Sequence, residues 1–442
     1  MTAKLWAIRL GVVAASLGSV LIAVCRGDDS AIRKATTFYV SPDGSDDAAG
    51  SEKTPLRTLQ VAASLARPGD TIIARAGEYA GFVLGWDLRQ GGQAGEPITY
   101  IGQSGAVIVS RNNKTPDGID LEPGCDYVVI QGFTIKNTSD TIRRAGIRIT
   151  GSIYVSVIDN VVADAGIWGI FTSHSDDVLI ENNTVSGSRR EHGIYVSNSV
   201  NYPVVRCNTV FDNHMCGIHL NGDASQGGNG LITNALIENN IIHDNGVGGG
   251  SAINCDGVQN SIIRRNLLYG NHGSGISLYR RDAAAGSRGN FVVNNTIVMA
   301  ATARYDLNIN TGSTRNLICN NVLLNLDPRT GSIKVDSNSR EGFVSDYNIV
   351  EDRFSLDEDG DWDLSDWQST TGQDKHSRLA TAAELFVNLG GHDFHPLPAG
   401  PAAHAGTMAL LGLQAPKADL EGNPFGTTWD IGAYQSGPRP QH

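Results

Sequence analysis

Between residues 146 and 280, short runs of alternating apolar and polar positions repeat one phrase. It reads Gly146-Ile147-Arg148-Ile149, Gly169-Ile170-Phe171-Thr172, Gly193-Ile194-Tyr195-Val196, Gly217-Ile218-His219-Leu220, Ala252-Ile253-Asn254-Cys255 and Gly275-Ile276-Ser277-Leu278. The first four glycines are spaced by 23, 24 and 24 residues, a period that marks a repeat architecture. A second phrase runs out of step with the first and places Asn160, Asn183, Asn208, Asn240, Asn266, Asn295 and Asn321 at equivalent positions.

The alternation is strand periodicity, and no stretch within the repeat sustains a helical period. At about 3.3 Å of rise per residue, a coil of three short strands and their turns closes once and stacks about 4.8 Å above its predecessor. The pattern therefore predicts an all-β, parallel β-helix over residues 71–350. Ile147, Ile170, Ile194, Ile218, Ile253 and Ile276 form one inward column, each contributing about 1.5–3 kcal/mol by burial. The asparagines stack at a turn, where side-chain amides bond from coil to coil, and are read as structural.

Ahead of the repeat, residues 26–70 hold a strand at Phe38-Tyr39-Val40 and a helix. Thr54-Pro55 reads as its N-cap and first turn, and Leu56, Leu59, Ala63 and Ala66 share one face. This amphipathic helix is expected to cap the open solenoid end. After residue 350 the phrases stop. Residues 351–442 begin with an acidic, Trp-containing stretch and continue rich in Pro, Gly and Ala, which reads as an irregular C-terminal cap on the last coils, with His392, His395 and His404 structural.

The net charge of −12 over 442 residues argues against a nucleic-acid partner, so an anionic ligand requires a local basic patch. Residues 1–25 resemble a secretory signal, with Lys4 before an apolar run, which implies a secreted or periplasmic protein. The end of that run, Leu21-Ile22-Ala23-Val24-Cys25, partly resembles a lipobox and makes Cys25 a candidate lipid anchor, with ordinary cleavage as the alternative. No later segment is long and apolar enough to span a membrane. Cys255 falls in an inward column and reads as a small hydrophobe, while Cys125, Cys207, Cys216 and Cys319 show no metal-ligand spacing.

The phrases Tyr39-Val40-Ser41-Pro42-Asp43-Gly44-Ser45-Asp46, Pro55-Leu56-Arg57-Thr58-Leu59, Pro68-Gly69-Asp70-Thr71-Ile72 and Gly77-Glu78-Tyr79 resemble the opening of secreted right-handed parallel β-helix proteins of the pectate-lyase-like superfamily. The closing Trp429-Asp430-Ile431-Gly432-Ala433-Tyr434 resembles the tail of bacterial members. The resemblance covers nearly the whole mature chain and implies the fold. It leaves the reaction open, because the superfamily includes polysaccharide lyases, epimerases, glycoside hydrolases and proteins of unknown activity.

Candidate chemistry lies on the outward positions. One column reads Arg148, Phe171, Tyr195, His219, Asn254, Ser277 and Asn308, and a second reads Thr150, Ser173, Ser197, Asn221, Asp256, Tyr279 and Asn310. In-register stacking makes Tyr195 and His219 direct neighbours, and likewise Asn221 and Asp256. The spacing jumps to 35 residues between Gly217 and Ala252, where residues 222–230 form an extra loop, and another excess follows Tyr279 at residues 280–288. Such loops wall a groove and carry function. Arginines gather there, among them Arg148, Arg189, Arg190, Arg280 and Arg281, and suit carboxylates unless they pair with Glu181, Glu191 and Asp282.

These features favour eliminative cleavage of a uronic-acid polysaccharide, with His219 as base, Tyr195 as acid and His192 as the alternative base. Lyases of this fold often use lysine, and none lies between Lys136 and Lys334. Asn221, Asn254, Asp256, Tyr279, Arg280, Arg281 and Arg148 are the expected substrate-binding residues. Epimerisation begins with the same proton abstraction. Hydrolysis, the runner-up, needs two carboxyl groups about 5–9.5 Å apart; the columns offer Asp256 alone, with Asp223, Asp282 and Glu191 able to reach in from loops. A non-catalytic glycan-binding or surface protein is the third alternative. Asp223, Asp256, Asn221 and Asn254 also suit Ca2+, without a fixed-spacing loop. The expectation is a monomer acting on an acidic polysaccharide.

Overall fold

In the computed structural model, the described residues are 33–86, 90–357, 359–412, 416–426 and 428–437. The signal and Cys25 lie outside them. Among them, three twelve-stranded sheets run the length of a parallel β-helix, and each coil contributes one short strand to each sheet. The inward isoleucines pair in register from Ile147 to Ile170, Ile194, Ile218, Ile253 and Ile276, all with no solvent exposure. Gly169 shows why the phrase begins with glycine, since a Cβ there would meet Val185 Cγ1 at 2.2 Å and the Gly193 carbonyl at 2.6 Å.

The asparagine column forms as expected. The backbone N–H of Asn160 donates to Asn183 Oδ1 at 3.0 Å, and the pattern repeats through Asn208, Asn240, Asn266, Asn295 and Asn321 to Asn348 at 2.9–3.0 Å. The residue before each ladder asparagine takes a left-handed conformation, with φ between 53° and 58° from Asp159 to Tyr347. Aspartate or asparagine, which tolerate that region, fill five of these eight positions. A second ladder, unread in the sequence, runs through Asn213, Asn245 and Asn271, five residues after Asn208, Asn240 and Asn266.

Both ends differ from expectation. The capping helix is Leu59–Leu65, and its N-cap is Thr58, whose side chain accepts from the Val61 amide at 3.3 Å. Thr54 instead bonds Ser51, because Asp46 accepts the Arg57 and Thr58 amides and fixes the helix start four residues later. The solenoid starts before residue 71, since Thr37–Val40 pairs in parallel with Thr71–Ala74. It also continues past 350, where Phe354–Leu356 pairs with Ile333–Val335. A helix at Leu364–Thr371 follows, and its Trp367, 1% exposed, stacks on Phe354 at 5.1 Å. The chain after it runs back along the outside of one sheet, where Phe386, Phe394, Ile431 and Tyr434 pack on Leu267, Val298, Val322 and Leu324. Those coils carry apolar residues on both faces of the sheet, and the segment buries the outer ones, covering a flank as well as following the last coils. His395 bonds Asp393 and His404 bonds Thr428 there.

Candidate functional site

The two outward columns stand in register as expected. Asp120, Arg148, Phe171, Tyr195, His219, Asn254, Ser277, Asn308 and Lys334 follow one another along one sheet. Beside them run Thr150, Ser173, Ser197, Asn221, Asp256 and Tyr279. The strand bends at each repeat glycine, so the residue three positions before the first column also reaches this face. Trp168 stacks on Phe171 at 4.5 Å, His192 meets Tyr195 edge-on at 4.9 Å, and Ser251 bonds Asn254 at 3.1 Å. The sequence reading included His192 but missed Trp168, Cys216 and Ser251. Their signal was the same repeat, offset by three.

At the centre three rings lock together. Tyr195 and His219 stack at 4.9 Å with 11° between their planes, and His192 stands edge-on to His219 at 4.6 Å. His192 Nε2 lies 3.0 Å from His219 Nδ1, and the Cys216 amide donates to His192 Nδ1 at 3.3 Å. Burial pushes His192 down to about 3 and His219 well below its ordinary value, with His192 adding to the latter effect, so both are neutral near pH 7. The Tyr195 hydroxyl accepts from Asn221 Nδ2 at 3.0 Å, and burial raises its pKa to about 12 against that hydrogen bond. His219 Nε2 and Asn221 Oδ1 are buried without a partner among the described residues.

His192, Cys216 and His219 bring three potential metal-ligand atoms within 4.8 Å of one another. The hydrogen bonds fit a metal poorly. With its Nδ1 accepting from the Cys216 amide, a neutral His192 carries its proton on Nε2, the atom that faces His219. Of the residues expected to suit Ca2+, Asp256 has backbone amides on both carboxylate oxygens and Asn254 has both ends of its amide engaged by neighbouring side chains.

Several expected substrate contacts are committed elsewhere. Asp256, 1% exposed, accepts the Arg281 and Asp282 amides at 2.8 Å each and anchors the second loop. It is a structural carboxylate. Arg148 pairs with Asp120 at 2.9 Å and Glu122 at 2.8 Å, Arg144 with Asp117, and Arg189 with Asp140. Of the acids expected to pair with these arginines, Glu181 is taken by Arg206 and Glu191 by the Trp168 indole N–H at 2.7 Å. Asn254 donates to the Tyr279 hydroxyl at 2.7 Å and accepts from Ser251, so that pair forms the floor of the face. Arg280 and Arg281 are exposed, with no side-chain partner among the described residues.

The two loops expected to wall a groove bond to each other. The Ala224 amide donates to Asp282 O at 2.9 Å and the Ala284 amide to Gly230 O at 3.1 Å, making one wall beside Asn221 and Asp256. Residues 246–250 pass close to Cys216, where a Cβ on Gly250 (φ 100°) would come within 2.5 Å of Cys216 Sγ. A cavity of about 820 Å³ lies away from this face, between residues 324–330, 350–353 and 379–384, and contains none of the expected site residues.

Comparison with known proteins bears on the fold. A family model described as "Pel9A-like, right handed beta helix region" matches residues 38–184, and one described as "Right handed beta helix region" matches 169–284. The chain is 25% identical to the uncharacterized protein YwoF of Bacillus subtilis (strain 168), over 83% of this chain and 92% of that protein. It is 34% identical to pectate lyase PEL9 of Emericella nidulans over 93 residues, 21% of this chain and 22% of that protein. The crystal structure of pectate lyase Pel9A superposes with a TM-score of 0.61 at 16% identity, covering 92% of this chain and 98% of that one.

Proposed function

From the premise that the chain is a pectate-lyase-like right-handed parallel β-helix protein, we propose that it is an exported carbohydrate-active enzyme that cleaves a uronic-acid polysaccharide by β-elimination. The observation that carries this reading is the Tyr195 phenol, held by Asn221 and stacked on His219 in the middle of the outward column. The local likeness to a protein named a pectate lyase supports it, as does the absence of a lysine between Lys136 and Lys334 to compete for the role. Among the described residues no helix is long and apolar enough to cross a membrane.

The expected division of labour changes. Because His219 Nδ1 faces the His192 proton donor, we assign the role of base to Tyr195 instead of His219. Tyr195 serves both half-steps. Ionised, it takes the proton alpha to the uronate carboxylate. The freed electron pair forms the carbon–carbon double bond as the bond to the leaving oxygen breaks, and the phenol returns the proton to that oxygen. Arg280 and Arg281 adjoin Tyr279, three coils from Tyr195, roughly 14 Å at ~4.8 Å per coil. They therefore hold a carboxylate a few sugars away from the cleaved bond.

The test is a panel of uronate-containing and neutral polysaccharides, following the ultraviolet absorbance of the unsaturated uronate for the wild type and Tyr195→Phe. Absorbance that grows with wild type on an acidic glycan and is lost in the variant is the expected result. Cleavage without absorbance indicates hydrolysis, and activity confined to neutral glycans removes the acidic substrate.

A further inference from the structure

The orientation of His192 determines what His219 can do. A backbone N–H is always a donor, so the Cys216 amide at 3.3 Å requires a lone pair on His192 Nδ1. His192 is neutral and must then carry its one proton on Nε2, which points at His219 Nδ1 at 3.0 Å. His219 accepts that proton's hydrogen bond and, being neutral as well, carries its own proton on Nε2. The reverse arrangement sets the His192 Nδ1 proton against the Cys216 amide and leaves a buried donor unpaired, which costs about 1–3 kcal/mol. The Glu191 carboxylate lies 3.8 Å from His192 Nε2, beyond hydrogen-bond reach, and the oxygen concerned already accepts the Trp168 indole.

The chain of donors ends at His219 Nε2, buried and unpaired, with the unpaired Asn221 Oδ1 two residues along the same strand face. Leaving these two polar atoms unsatisfied at the centre of the face has a cost that an incoming ligand removes. We infer that His192 is a positioning residue: it locks His219 in the Nε2–H tautomer, so that His219 meets the substrate as a neutral donor to an anionic oxygen. The developing enolate of the uronate is such an oxygen, and a fixed donor aimed at it is worth more than one that must reorient. The role in turnover rests on the lyase reading, whereas the tautomer does not.

Nitrogen-15 NMR of histidine-labelled full-length protein tests the tautomer without substrate. The expected result is Nε2–H on both histidines, with neither charging in the usual histidine range; an Nδ1–H on His219 overturns the inference. Two variants test the role. In His192→Gln the amide supplies both an acceptor for Cys216 and a donor for His219, and should keep the His219 tautomer and kcat within about tenfold. In His192→Glu only acceptors remain, which should flip His219 to Nδ1–H, raise its pKa and lower kcat about 100-fold with little change in KM. Equal losses in both variants with the His219 tautomer unchanged, or full activity in His192→Glu, overturn the role. Failure of the lyase reading shows separately, as absence of unsaturated product from the wild type.

Discussion

The asparagine ladder and the aromatic-polar column are built on the same coils with the same register, yet they are opposite kinds of surface. In the ladder one residue type repeats, and each amide serves its neighbours on both sides: Asn240 accepts from Asn208 N and Nδ2 and donates to Val205 O and Asn266 Oδ1. In the column the residue changes at every coil, from Arg148 through Phe171, Tyr195 and His219 to Asn254, and the centre leaves His219 Nε2 and Asn221 Oδ1 unpaired. Repetition satisfies hydrogen bonds and stabilises. Variation on the same scaffold leaves polar groups without a partner, at a cost in stability that the ladder offsets.

The sharpest way to break this contrast is Tyr195→Phe. It should lower kcat by roughly two to four orders of magnitude while costing only the single hydrogen bond from Asn221, about 1–3 kcal/mol, and a loss of folded protein large enough to account for the activity loss would place Tyr195 with the structural residues. In the wild type kcat/KM should climb through neutral and alkaline pH towards the Tyr195 value of about 12, since the proposed mechanism uses the ionised phenol as base. A pH profile flat from neutral to alkaline would remove it from that role. Asn240→Ala should do the reverse, costing about 2–4 kcal/mol in urea unfolding by orphaning Asn208 and Val205 groups, with kcat per folded molecule retained.

A smaller effect is expected at the rim. Arg280→Ala and Arg281→Ala should each raise KM about tenfold on an acidic polysaccharide, equivalent to ~1.4 kcal/mol, leave kcat nearly unchanged, and lose that effect as salt is raised; a purely kcat effect would place them at the reacting sugar. A separate readout is acid stability. His192 has its folded pKa lowered to about 3, so the unfolded chain binds its proton first, and the stability present above about pH 6.5 falls as pH drops towards 3. Subtracting the His192→Gln curve isolates this from Glu191, Tyr195, His219 and Cys216, the groups packed around it. Parallel curves would show that His192 is not held neutral by burial.

Much of the fold was legible because a parallel coil stacks equivalent residues at a constant offset, so period and alternation alone predict which isoleucines face inward and which residues neighbour one another outside. The Asn213-Asn245-Asn271 ladder and the Trp168-His192-Cys216 row carried the same period and were equally readable. The helix start at Thr58 was not, because Asp46 sets it from twelve residues away.

What the amino-acid sequence determined by itself is therefore everything periodic: the solenoid, its inward column, its asparagine ladder and the order of side chains along the groove. What the tertiary structure alone decided is which of those side chains are free. Arg148 is committed by Asp120, 28 residues away, and Asp256 by amides of the loop after Tyr279, 25 and 26 residues on. His219 becomes a donor only because a ring 27 residues earlier turns its own donor towards it. The physical reason is common to all three. Local spacing fixes where a side chain points, but its charge, tautomer and hydrogen-bonding capacity depend on partners that the repeat brings together without naming them.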